Sequence, residues 1–280
     1  MRLTGWIGLV VLIVAEILLF RGNKFVGFNF TQIQWWAYIL FLDALIEKKW
    51  KKSYIYHYPG EFALMAVYSF GCWLIYEFYN IYYIPNWYYT PLPEAWLPRW
   101  ILYFVSFATI FPGIFLAARC CELIGLFKTW KMKAWNLNKK KLYAWLTVGI
   151  VFLVFPFIYS STYLFALVWL GFALFLDPIN YMLGYESILK DFENAKISKF
   201  MNLMLGGYIC GFLWEFWNYW ALRKWIYTVP FTQNIKIFEM PIAGFTGFGP
   251  FAVECFCMWA FLRGITASIL KKPKLAPEIL

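Results

Sequence analysis

Two glutamates, each followed by an asparagine one turn later, stand in sequence apolar enough for a bilayer: Glu77 with Asn80, and Glu215 with Asn218. Positions i and i+3 share a helix face, so each pair presents a carboxyl and an amide to the same neighbour. A carboxyl group at a helix centre in a membrane costs roughly 2.5–3.5 kcal/mol, so each must face protein or water and find a partner there. Held neutral among indole and phenol rings, such an acid can protonate an unactivated double bond, and its ionised form can take the proton back. Glu254 is a third candidate acid, one turn beyond Pro250 in a glycine-rich span, whereas Glu16, Asp43 and Asp177 complete the acids within apolar stretches. The alternative reading is structural: polar residues in membrane bundles also hydrogen-bond neighbouring helices.

Each glutamate is followed by a short aromatic segment, with Trp87 and Tyr89 after the first and Trp225 and Tyr227 after the second. Trp214 and Trp217 flank Glu215 directly. These rings suit either an interfacial belt or a lid over a lipophilic slot, where their faces would stabilise a cation. In the slot reading Glu77 and Glu215 serve as proton donor and acceptor, Asn80 and Asn218 orient them, and the six rings bind substrate. The two carboxyls are then expected to meet in an apolar interior.

The elements that must position these groups are transmembrane helices. Hydrophobic residues make up 62% of the 280 and charged residues 14%, too little charge for a soluble surface. Eight stretches could span a bilayer, near 4–20, 31–47, 61–83, 99–125, 142–160, 161–183, 200–222 and 241–269. The first lacks a small-residue cleavage site and reads as an uncleaved helix. The motif Cys72, Glu77, Phe78, Asn80, Trp87, Tyr89, Thr90 recurs with unchanged spacing as Cys210, Glu215, Phe216, Asn218, Trp225, Tyr227, Thr228. Trp35 and Asp43 recur in the same manner as Trp169 and Asp177. The expected fold is therefore an all-α polytopic bundle of two parallel four-helix repeats, 1–141 and 142–280, forming one membrane domain. Four helices per half would relate the repeats by an axis along the membrane normal.

Placing both termini in the cytoplasm puts 19 of the 25 Lys and Arg on that side, the distribution of a prokaryotic inner or plasma membrane protein. The formal charge of +10 then serves topology and anionic headgroups, not nucleic acid. A single histidine, His57, argues against haem, di-iron or His-ligated zinc, and none of the six cysteines has zinc-finger spacing, so no metal or cofactor is expected.

In the second half, Trp217-Asn218-Tyr219-Trp220-Ala221 with Trp225-Ile226-Tyr227 and then Pro241, and in the first half Glu77 with Trp87 to Thr90, resemble the integral-membrane carotenoid-modifying enzymes. These are the lycopene cyclases of the heterodimeric or fused type and the related carotenoid hydratases. The resemblance covers only a minor part of each half, around these motifs. It implies an isoprenoid substrate and metal-independent cyclase- or hydratase-like chemistry. Two departures stand out: Ile242-Ala243 follows Pro241 where those enzymes carry an acidic pair, and Asn218 stands for an aspartate. The resulting expectation is a membrane protein that binds or modifies a long polyisoprenoid or carotenoid-like lipid by proton transfer. A non-catalytic subunit docked to other membrane proteins and a proton-coupled small transporter are the alternatives.

Overall fold

A computed structural model describes residues 1–271, so Lys272 and Lys274 of the C-terminal basic cluster lie outside the described residues. Helix α1 (Leu3–Phe20) leads through α2 (Lys24–Phe28) into α3 (Phe30–Trp50). The single turn α4 (Tyr54–His57) precedes α5 (Pro59–Tyr82), strand β1 (Trp87–Thr90), α6 (Trp96–Phe107) and α7 (Ile110–Leu123). A similar order follows: α8 (Lys139–Ile158), α9 (Phe165–Leu183), α10 (Ile188–Glu193), α11 (Ser198–Trp220) and β2 (Lys224–Tyr227). A small hairpin of β3 (Lys236–Ile237) and β4 (Met240–Pro241) then leads through a 3-10 turn (Ile242–Gly247) into α12 (Phe248–Ile269).

Six segments are long and apolar enough to cross a bilayer: α1, α5, α6 with α7, α8, α9 with the 3-10 turn before it, and α12 with the turn before it. The chain is thus a predominantly helical integral membrane protein. Of the eight expected spans, the two that differ are α3 and α11. At 21 and 23 residues they have the length but not the apolarity. The reason is visible in their buried polar residues, Gln34 and Asp43 on α3 and Asn202, Glu215 and Asn218 on α11. Helix α3 packs between α1 and α7, and α11 between α7 and α12, with an outer row on α11 (Tyr208, Ile209, Phe212) left exposed. A helix face covered by other helices can carry polar groups that a lipid-facing one cannot. By contrast α1 and α8 present rows of exposed apolar side chains, such as Ile7, Val10 and Val14, or Val148, Val151 and Val154.

Close packing around α11 depends on small residues. A Cβ added at Gly206 would lie 2.8 Å from the backbone nitrogen of Ala118 on α7, and one at Gly207 would lie 2.4 Å from the carbonyl oxygen of Phe248 on α12. Backbone atoms cannot move aside as a flexible side chain can, so α11 approaches both neighbours only because these positions are glycine.

Asp43 and Asp177 have a structural task. The Asp43 carboxylate accepts from the Ser53 hydroxyl at 2.5 Å and the Tyr54 backbone N–H at 2.7 Å. Asp177 accepts from the Ser187 hydroxyl at 3.1 Å and from the backbone N–H groups of Ile188 and Leu189 at 3.0 and 2.8 Å. Ser53 and Ser187 in turn cap α4 and α10, accepting from the N–H of Tyr56 and Lys190. Aspartate, serine and capped turn keep the same sequence spacing in both sets, so the repeat extends to this device. The aspartates therefore fasten the turn that follows each helix, and the proline after Asp177 is incidental to this role.

Two outcomes follow for stability. Asp177→Ala leaves two backbone N–H groups and a hydroxyl buried without an acceptor, which costs about 1–3 kcal/mol; thermal unfolding in detergent should show the loss, and an unchanged midpoint would contradict the bonding described. Gly206→Val overpacks the α7–α11 contact and should destabilise by about 1–3 kcal/mol in the same measurement.

Candidate functional site

Strands β1 and β2 pair antiparallel, with Trp87 opposite Tyr227, Tyr88 opposite Ile226 and Tyr89 opposite Trp225. Tyr88 and Ile226 occupy equivalent positions in the two motifs, so at the centre of the pair a residue meets its own sequence counterpart. On either side the tryptophan of one motif faces the tyrosine of the other. The strands join the C-terminal ends of α5 and α11, where the two glutamates sit. The aromatic segments expected to form a belt or a lid instead zip the halves together through backbone hydrogen bonds.

The asparagines hold these strands. The Asn80 side-chain oxygen accepts from the backbone N–H groups of Asn86 and Trp87 at 2.7 and 3.1 Å, and its Nδ2 donates to the Trp87 carbonyl at 2.9 Å. Asn218 bonds Trp225 in the same way, Oδ1 accepting from its N–H and Nδ2 donating to its carbonyl, both at 2.9 Å. Neither asparagine touches the glutamate one turn before it. They act by fixing the strand that carries the tyrosine.

Each tyrosine then reaches back to its own glutamate. Tyr89 donates to Glu77 Oε1 at 2.5 Å and Tyr227 to Glu215 Oε1 at 2.7 Å. Burial pushes both phenols well above their ordinary pKa, so they remain protonated donors. Beyond this the two sites part. Glu77 Oε1 also accepts from Trp73 Nε1 at 2.8 Å and Trp87 Nε1 at 3.1 Å. At the second site the Trp225 indole donates to the Tyr227 hydroxyl at 2.8 Å, and Gly211 occupies the position equivalent to Trp73. The Phe248 ring fills that space, since a Cβ on Gly211 would lie 2.2 Å from it. Glu215 is left fully buried with Oε2 unpartnered. Among the described residues no hydrogen bond joins the two carboxyls, so they share an interior without meeting.

A cavity of about 120 Å³ lies beside Glu215, walled by Trp35, Trp73, Trp214, Phe251 and the strand residues Trp87, Tyr89, Trp225 and Tyr227. Trp35 and Trp169, counterparts in the repeat, both line it, and both have buried indole N–H groups without partners. A second cavity of about 270 Å³ lies behind Trp87, Trp169 and Tyr227, which line both spaces. An apolar hollow with a few convergent polar groups is the geometry of a lipophilic ligand site.

Of the rings expected to bind substrate, Trp87, Tyr89, Trp214, Trp225 and Tyr227 line the first cavity. Trp217 does not; it packs against Trp35 and Tyr38 at ring-centre distances of 5.0 and 6.0 Å. Of the candidate acids only Glu215 lines either cavity. Glu254 is completely buried, accepting from the backbone N–H of Phe172 on α9 at 2.8 Å with its other oxygen unpartnered. It braces α12 against α9 away from both hollows. Sequence reasoning missed Trp73, whose position four residues before Glu77 on one helix was the available signal.

Among the described residues no group of three or more His, Cys, Asp and Glu is placed to hold a metal ion. No family model, curated protein or solved structure matches this chain, so the site is read from its geometry.

The unequal bonding predicts unequal mutants. Glu77→Leu removes the acceptor of three donors, of which Trp73 keeps only a 3.4 Å bond to the Tyr89 hydroxyl, and Glu215→Leu removes the acceptor of one, at about 1–3 kcal/mol per orphaned donor. Thermal unfolding should place Glu77→Leu well below Glu215→Leu, and equal midpoints would contradict the assignment.

Proposed function

We propose that this protein holds a long apolar lipid, polyisoprenoid in character, in the aromatic cavity beside Glu215. It spans the membrane eight times as two parallel four-helix repeats, 1–141 and 142–280, with α3 and α11 as the less apolar spans. Both termini face the cytoplasm of a prokaryotic plasma membrane. The reciprocal β1–β2 pairing fits an axis along the membrane normal, with the strand pair lying across it as a cap.

The observation that carries the reading is Glu215, a buried carboxyl with one oxygen unpartnered, among the residues that wall an aromatic cavity. The resemblance to carotenoid cyclases and hydratases points to the same substrate class. Proton transfer in this scheme belongs to Glu215, with Tyr227 as the hydroxyl that can return or relay a proton. The rings of Trp35, Trp214 and Phe251 provide the faces against which an allylic cation is stabilised. Glu77 acts as the clasp of the strand pair, its Oε1 held by three donors.

Native mass spectrometry of protein extracted gently from its own membrane should show a co-purifying apolar lipid. With a polyprene bound in heavy water, proton addition to a double bond and loss of a proton from the resulting cation would leave deuterium in the recovered lipid. Glu215→Gln should abolish that exchange while retaining the lipid. Protein free of apolar lipid, or exchange undiminished in Glu215→Gln, would defeat the proposal.

A further inference from the structure

The edge of the same cavity carries a cation without a counter-charge. Arg223 and Lys224, in the short connection from α11 into β2, line the cavity together with Leu92 and Gln32. Lys224 is neutralised by Glu239 at 2.8 Å. Arg223 is placed differently: its Nε donates to the Pro91 carbonyl at 2.9 Å and its guanidinium lies 5.6 Å from the Phe28 ring centre. Among the described residues no carboxylate comes within ion-pair distance of it.

Partial burial lowers the Arg223 pKa from its ordinary value through desolvation, and a guanidinium still keeps its charge. A half-desolvated cation of this kind is stabilised by an anion with two oxygens to offer, because its planar fork matches phosphate and carboxylate. In the first half the equivalent residues are Pro85 and Asn86. The cation therefore occurs only in the half whose glutamate lines the cavity. Selection for topology does not account for it, since by the distribution of charge this is the side of the membrane poor in Lys and Arg.

We infer that the cavity takes an amphiphile, its apolar chain lodged between Trp35, Trp214 and Phe251 and its phosphate or carboxylate head paired with Arg223. The inference rests on the reading of the cavity as a lipid site and adds the headgroup to it.

The test is a titration of delipidated, detergent-solubilised protein, followed by native mass spectrometry. The probes are a polyprenyl phosphate, the polyprenol of equal chain length, and inorganic phosphate alone. The phosphate lipid should bind about tenfold more tightly than the alcohol. Arg223→Gln should bring the two lipids to similar affinity with alcohol binding unchanged, and Arg223→Lys should recover part of the difference. An unchanged near-ultraviolet circular dichroism spectrum in Arg223→Gln assigns the effect to the lost charge and not to misfolding. Equal binding of the two lipids by the native protein would overturn the headgroup assignment and leave the lipid site standing. Inorganic phosphate binding as tightly as the lipid would make Arg223 a free-anion site and overturn the amphiphile. Failure of both lipids to bind would remove the cavity reading and the headgroup with it.

Discussion

The hydrogen bond from each strand tyrosine to the glutamate of its own helix is the contact on which the rest of the structure depends. Within a bilayer no water is at hand, so a buried carboxyl must be satisfied by the chain itself. The helix backbone cannot do this, because its groups are already paired within the helix, and of side chains on the same helix only Trp73 of α5 donates to its glutamate. Tyr89 and Tyr227 provide the donors, Asn80 and Asn218 hold the strands that carry them, and the β1–β2 ladder ties one strand to the other. Acids, asparagines and aromatic segments form one mechanical unit, which closes the bundle where its two halves meet.

Within that unit two copies of one motif have reached different states. Trp73 completes the shell of Glu77, and its replacement by Gly211 in the second copy withdraws a donor and admits the Phe248 ring. A carboxyl whose bonded oxygen is held by three donors braces the fold; one held by a single donor in the wall of a hollow retains chemistry. Two indole donors differ between the copies: Gly211 stands where Trp73 does, and Trp225 donates to Tyr227 where Trp87 donates to Glu77. The unpaired Arg223 lies on the same side of this division as the cavity-lining glutamate.

Much of this could be read from residue order. Apolar runs of bilayer length placed most of the long helices to within a few residues, although the run 99–125 covers two helices, α6 and α7, and α12 begins only at Phe248; the recurring Glu, Asn, Trp and Tyr marked the positions that meet at the strand pair. At α3 and α11 the apolar signal is weaker, because polar residues such as Asp43 and Glu215 face neighbouring helices and not lipid. The strand pairing was hidden because Trp-Tyr-Tyr-Thr and Lys-Trp-Ile-Tyr are too short to declare a partner. Equal motifs also implied equal glutamates, whereas the difference arises where the copies diverge, Trp73 against Gly211, with the Phe248 ring in the space that the glycine leaves. The role of Asp43 and Asp177 was not legible in the sequence, because their donors, Ser53 and Ser187 with the backbone N–H groups beyond, belong to the turns that follow each helix. Trp217 and Glu254 stand in promising sequence, but helix rotation points them at packed neighbours and away from either hollow.

The central claim is that the space beside Glu215 is a lipid site while Glu77 is a clasp. An electron cryomicroscopy map of the protein in a disc of its native lipid tests it most directly. The account predicts elongated density between Trp35, Trp214 and Phe251 that reaches the Glu215 carboxyl, with Glu77 still enclosed by Trp73, Trp87 and Tyr89. A cavity collapsed or holding only water, or a ligand seated on Glu77 instead, would contradict it.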